Sequence, residues 1–168
     1  GLLLLSTNLL FSQTKQEYHE MMAKMNGGWI LVKEKFKVIS GVEFPAPDMK
    51  MSNKIDGEKY ISMTWGKMGT ENWEVFSQDT SVYDEQQKRL TVKAGLPNPQ
   101  EFYVNVSLQA DGNVLLKEFN LKNEKLAEMT FGYIEDGQMY VERKAYTDEQ
   151  GNPVSELVSH FSFYWKKQ

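Results

Sequence analysis

The chain contains no cysteine. That absence excludes disulfides, thiolate nucleophiles, zinc–thiolate sites and a lipid attached through an N-terminal Cys. Histidine is almost as scarce: His19 and His160 are the two in 168 residues. Two are too few for a multi-histidine metal centre, and no Ser/His/Asp ordering stands out. Basic charge is not in excess either, with 19 Lys+Arg against 23 Asp+Glu and a formal charge of −4. Lys and Glu are interspersed as on a solvated surface. Phosphate binding needs a clustered basic face, so nucleic acid is not an expected partner. No repeat, low-complexity tract or linker divides the chain.

Long apolar runs are also missing. The one apolar stretch, Leu2 to Leu5 followed by Leu9, Leu10 and Phe11, is too short to cross a ~30 Å hydrocarbon core. It passes through Ser12-Gln13 directly into polar Thr14-Lys15-Gln16-Glu17. That is the pattern of a secretory signal and its cleavage zone, so residues 1–13 read as a signal remnant. The protein is expected to be exported, periplasmic or secreted, with no stable membrane span in its mature form. Its mature start falls between Ser12 and Lys15.

What remains, residues 14–168, has the size of one domain, and the apolar share of the whole chain, 40%, is ordinary. Aromatic residues make up 12% of the chain, and they favour strands and pocket linings. Tyr18, Met21, Met22 and Met25 recur at helical spacing and are stopped by Gly27-Gly28, which predicts one short amphipathic helix. From Trp29 onward the pattern is strand. Trp29 to Ile39 alternates, with Ile30, Val32, Phe36 and Val38 on one face and Lys33, Lys35 and Lys37 on the other.

Asp56-Gly57, Asp111-Gly112 and Asp136-Gly137 mark tight hairpins. Residues 41–48 form a long irregular loop, and Leu157 to Trp165 is the last strand. The count is nine or ten strands with turn signals every eight to twelve residues. Nearly all connections read as sequential hairpins, and closure removes the exposed edges of so strand-rich a chain. The expected fold is therefore all-β: a single antiparallel up-and-down barrel with one short N-terminal helix.

Short motifs add a resemblance. Gly27-Gly28-Trp29, opening the first strand after a helix, resembles the Gly-x-Trp start of lipocalins and their calycin relatives. Such barrels bind small apolar molecules, and the Trp packs across the closed end. Ser81-Val82-Tyr83-Asp84 with Arg89-Leu90-Thr91-Val92 is similar to the Tyr-Asp hairpin of secreted bacterial lipocalin-like proteins. The stretch from His160 to Lys167 resembles the last strand of nitrobindin-type haem barrels, where a strand histidine ligates iron. Together the likeness covers most of residues 27–167.

Candidate sites follow from the alternation. A barrel of this size either fills its interior or holds one small ligand. Trp65, Trp73, Tyr103, Phe119, Phe161 and Phe163 are the aromatic residues expected to line such a space, with plain core packing as the simpler alternative. His160 shares a face with Val158, Ser162 and Tyr164, opposite Leu157, Phe161, Phe163 and Trp165. The more apolar face lacks His160, so it reads as a rim or surface histidine. The acid pairs Glu135-Asp136 and Asp148-Glu149 fall in turns and read as solvated.

No catalytic residue or metal site is expected. The leading function is an exported barrel holding a small apolar or amphipathic molecule, without cofactor and without catalysis. The alternatives are a haem barrel using His160, a cyclase- or isomerase-like enzyme in the same pocket, and a filled envelope module that binds a partner. Oligomeric state is not legible.

Overall fold

A computed structural model describes residues 15–67, 69–96, 99–134 and 137–168. The expected signal remnant (residues 1–13) and the Glu135-Asp136 pair lie outside them. The helix α1 (Lys15–Lys24) precedes eleven strand segments: β1 (Gly27–Leu31), β2 (Lys37–Ser40), β3 (Met49–Asp56), β4 (Lys59–Gly66), β5 (Glu74–Asp84) and β6 (Arg89–Leu96), then β7 (Gln100–Leu108), β8 (Val114–Asn120), β9 (Lys125–Ile134), β10 (Gln138–Ala145) and β11 (Ser159–Lys167). From β3 to β11 each strand pairs antiparallel with the next, and β1 pairs with both β3 and β11. The sheet closes on itself. β1 and β2 are two pieces of one stave along β11, so the barrel has ten staves. Among the described residues no helix is long and apolar enough to cross a membrane.

The tight turns arise where the sequence places them. Asp56-Gly57 joins β3 to β4, with Gly57 at φ +60°, a conformation that glycine adopts without a Cβ penalty. The helix ends at Lys24, three residues before Gly27. Its last turn tightens, with Met25 N–H donating to Met22 O (3.1 Å) and Asn26 N–H to Ala23 O (3.3 Å).

The first stave departs from the expected continuous strand. Val32 N–H donates to Tyr164 O at 2.8 Å, then Lys33–Lys35 form a 3-10 turn closed by Phe36 N–H to Lys33 O. Lys33-Glu34-Lys35 offers nothing apolar to hold against the interior, and a turn of three residues resets the two-residue alternation. Trp29 and Leu31 face inward, and Ile30 faces out at 38% exposed. Beyond the turn, Phe36 and Val38 rejoin the inner face. β2 pairs with β11 alone, so beside it the wall lacks a stave. Residues 41–48 cross that gap, tied down by the Lys33–Asp48 ion pair (3.0 Å) and by Lys67 N–H donating to Asp48 O (3.1 Å).

The interior is filled at one end. There α1 lies across the hairpins, with the Tyr18 ring edge-on to Tyr60 at 4.9 Å and stacked on Tyr83 at 5.8 Å. Met21 and Met22 pack against both core clusters, one around Tyr60, Leu90 and Val104, the other around Trp29, Met139 and Trp165. Trp29 is fully buried and its indole N–H donates to Met25 O at 2.9 Å. Asn53 Nδ2 donates to the same carbonyl at 3.1 Å, so an orphan carbonyl just past the helix is satisfied twice. The Lys167 ammonium sits 5.7 Å from the centre of the Trp29 ring, a cation–π contact.

The other half of the lumen is not filled. Ser62, Thr64, Ser77, Met129, Phe161 and Phe163 point inward by register yet are only half-buried. Inward residues that still touch solvent define an open interior, and the exposed Ile39, Val42, Phe44, Leu157 and Val158 surround its mouth.

Candidate functional site

Six aromatic residues are expected at a lumen site, and the barrel divides them. Phe161 and Phe163 of β11 lie on the inner wall, opposite Arg143 and Val141 in register. The other four lie on the outer face, which corrects the expected lining. Trp65 sits opposite Lys50, out of phase with the inward Met51–Thr64 pair. The Lys50 ammonium is 5.5 Å from the Trp65 ring and 4.8 Å from Trp73, and Lys67 is 5.3 Å from Trp73. Tyr103 stacks on Phe119 at 5.3 Å, carries the Arg89 guanidinium at 3.9 Å and donates to Asn123 Oδ1 at 2.8 Å. Cationic stems thus do for these rings on the outside what a core would do inside.

His160 also faces outward. Its Nε2 is 3.5 Å from Glu142 Oε2 on neighbouring β10, and Glu142 accepts a hydrogen bond from the Tyr140 hydroxyl. Asp148 lies in a turn, where its carboxylate accepts from the backbone N–H of Gln150 (2.9 Å) and Asn152 (2.8 Å). Those bonds hold it below the usual carboxylate range.

The inner wall carries an aromatic group at its open end. The Phe36 ring is 5.4 Å from Phe44 and 5.4 Å from Phe163, and Phe44 is 5.4 Å from Phe161. Phe36 and Phe44, with Lys33, Val38, Glu43 and Pro45, line a groove of about 570 Å³ beside the missing stave. That is within the range of small-molecule sites. A smaller cavity of about 240 Å³ lies between α1 and the closed end, against Met21, Met25, Phe131 and Met139.

The inner wall also carries three charged side chains that the reading of the sequence missed. Asp79 shares the inward face of β5 with Ser77, Ser81 and Tyr83, opposite Ser62 and Ala94. Glu118 is inward on β8 between Val104 and Ala127, and Arg143 is inward on β10 between Met129 and Phe161. Arg143 Nη2 lies 3.7 Å from Glu118 Oε2. Burial pushes Asp79 up to about 6, with the Glu118 charge adding to the shift and Arg143 opposing it. Burial also raises Glu118, against the pull of Arg143. The signal was in the pattern: Arg143 is in phase with Met139, Val141 and Ala145, and Glu118 with Val114 and Leu116. A charge on the apolar phase of a strand marks a special interior position.

The shift has a consequence for stability. The folded protein holds the Asp79 proton to higher pH than the unfolded chain does. Stability from this group is therefore full below about pH 4 and lost as pH rises through about 6. Asp79→Asn is expected to stabilise the protein by about 1 kcal/mol at neutral pH after allowing for solvent access. Urea denaturation at about pH 7.5 and about pH 4 checks it, with the gain present at the first and absent at the second.

Among the described residues no three carboxylate or histidine groups are placed to hold a metal ion. No protein-family model matches the chain, and no curated protein matches it.

Proposed function

We propose that this is an exported, lipocalin-like binding protein that holds a small apolar or amphipathic molecule in the open half of its barrel. The observation that carries the reading is the contrast along the barrel axis. One half is closed over by α1, whose Tyr18, Met21 and Met22 pack into it. The other presents inward Phe161 and Phe163, charged groups on the facing and neighbouring strands and an apolar mouth, in partial contact with solvent. An apolar wall with a few convergent polar groups is the usual make-up of a small-molecule site. The Gly-x-Trp opening and the buried Trp29 at the closed end support the lipocalin-like assignment. The haem alternative gains no support, because the His160 imidazole faces away from the lumen.

One observation favours a second reading, an isomerase- or cyclase-like enzyme. Asp79 titrates near 6 inside the lumen, in the range where a carboxyl exchanges protons at neutral pH. That use also requires a bound substrate, so binding is the prior question.

Native mass spectrometry of the protein purified from its own host tests the proposal. The expected result is one small extractable species per chain. Phe163→Ala is expected to weaken its retention about tenfold, equivalent to ~1.4 kcal/mol, whereas the outer-face change Trp73→Ala leaves it unaltered. Protein that carries nothing, and takes up no amphiphile when offered one, would count against the reading.

A further inference from the structure

We propose that the lumen selects a cationic amphiphile, its ammonium head at Asp79 and Glu118 and its apolar tail along Phe161 and Phe163. This rests on the ligand-binding reading above and names the class of ligand.

The argument is one of charge balance inside the barrel. Asp79, Glu118 and Arg143 come from β5, β8 and β10, so their side chains converge across the lumen rather than along one strand. Two carboxylates meet one guanidinium. Arg143 is already paired with Glu118 at 3.7 Å. Asp79 makes no hydrogen bond or ion pair with any described residue. The neighbouring strands offer it no cation, since β4 and β6 present Ser62 and Ala94 beside it.

The charged groups facing Asp79 are Glu118 and Arg143 alone among the described inward residues, and the tyrosines Tyr60 and Tyr83 lie further toward the closed end. The site is therefore one positive charge short, and an isolated buried carboxylate is costly unless it is protonated or paired. An anionic ligand would meet a guanidinium already engaged and two like charges. A cation supplies what is missing, and the Phe161 and Phe163 rings tolerate an ammonium group beside them.

Binding is then an exchange. When Asp79 is protonated, the complex forms as the ammonium enters and the proton leaves to solvent, so charge inside the barrel is conserved. Affinity for a permanently charged cation is expected to fall roughly tenfold for each pH unit below the Asp79 transition. Above that transition it is level.

The test uses the full chain and three probes with the same tail: decyltrimethylammonium, decyl sulfate and decanol, each below its micelle concentration. Calorimetric titration at about pH 7.5 is expected to show the ammonium binding at least tenfold tighter than the sulfate, and at about pH 5 that advantage shrinks about tenfold. Asp79→Asn, which is expected to fold more stably than the parent, abolishes both the preference and its pH dependence while decanol still binds. Glu118→Gln reduces the preference in the same direction.

If decyl sulfate binds better than the ammonium, or if Asp79→Asn leaves the preference intact, the cation proposal is wrong and the amphiphile reading stands. If none of the three binds, decanol included, the amphiphile reading falls and the proposal falls with it.

Discussion

Trp29→Ala is expected to lower the stability of the protein by ~3–5 kcal/mol, the range for truncating a large aromatic side chain in a core. Trp29 is fully buried among Leu31, Met139, Val141 and Trp165, with Met25 above it. Three separate losses combine in the change. The apolar area goes, the indole donor to Met25 O at 2.9 Å goes, and the Lys167 ammonium loses the ring beneath it. Asn53 still satisfies the Met25 carbonyl, so the helix end is not left without a donor. The midpoint of chemical denaturation reads the effect directly. A midpoint that hardly moves would mean that the closed end does not depend on this residue.

Removing the lumen cation should be the second large effect, and it should depend on pH. Arg143→Met leaves Glu118 and Asp79 inside the barrel without a guanidinium. Breaking a buried pair in this way costs 3–5 kcal/mol when the site is dry, and about 2 kcal/mol is expected here because Arg143 is partly solvated. The sign of the pH dependence follows from the two carboxyls. Both are raised by burial, and without Arg143 nothing opposes that rise. As pH falls both move toward their neutral forms, so the destabilisation is smaller at about pH 5 than at about pH 7.5. Denaturation at about pH 7.5 and about pH 5 separates this from lost packing of the arginine stem, which would be the same at both.

Much of the fold was legible because its signals are local. Tyr18, Met21 and Met22 lie on the buried side of one helix with buried Met25 just past its end, and Asp56-Gly57 and Asp111-Gly112 fall at turns between consecutive antiparallel strands. The face of β11 was read correctly too: Phe161, Phe163 and Trp165 point in, while His160, Ser162 and Tyr164 point out. Its bounds were less clear, since the strand runs Ser159–Lys167 rather than Leu157–Trp165.

Three things were hidden, and the reasons are physical. Alternation divides a strand into two faces but does not say which is inner when both carry apolar residues. Trp65 and Tyr103 are on the outer face because Lys50 and Arg89 from adjacent strands cover them, and that pairing depends on register. The charged trio is non-local in the same sense. Glu118 and Arg143 fall on the apolar phase of their strands, but that they meet Asp79 emerges only when closure brings β5, β8 and β10 around one lumen. The break in the first stave was hidden as well, because Lys33-Glu34-Lys35 continues an alternating pattern in the sequence while forming a 3-10 turn in the fold.

The central claim is that an amphiphile lodges inside the barrel rather than on its aromatic exterior, and the four indoles report on it. Trp165 stacks at 6.3 Å on Phe163 of the inner wall, whereas Trp65 and Trp73 lie outside beneath Lys50. The measurement is a nitrogen-15 NMR titration with decanol, following the indole N–H signals assigned by single Trp→Phe variants. The predicted result is a saturable shift of Trp165 with Trp65 and Trp73 unmoved. Shifts at Trp65 and Trp73 with Trp165 unchanged would contradict it, and would place the binding surface on the outer wall.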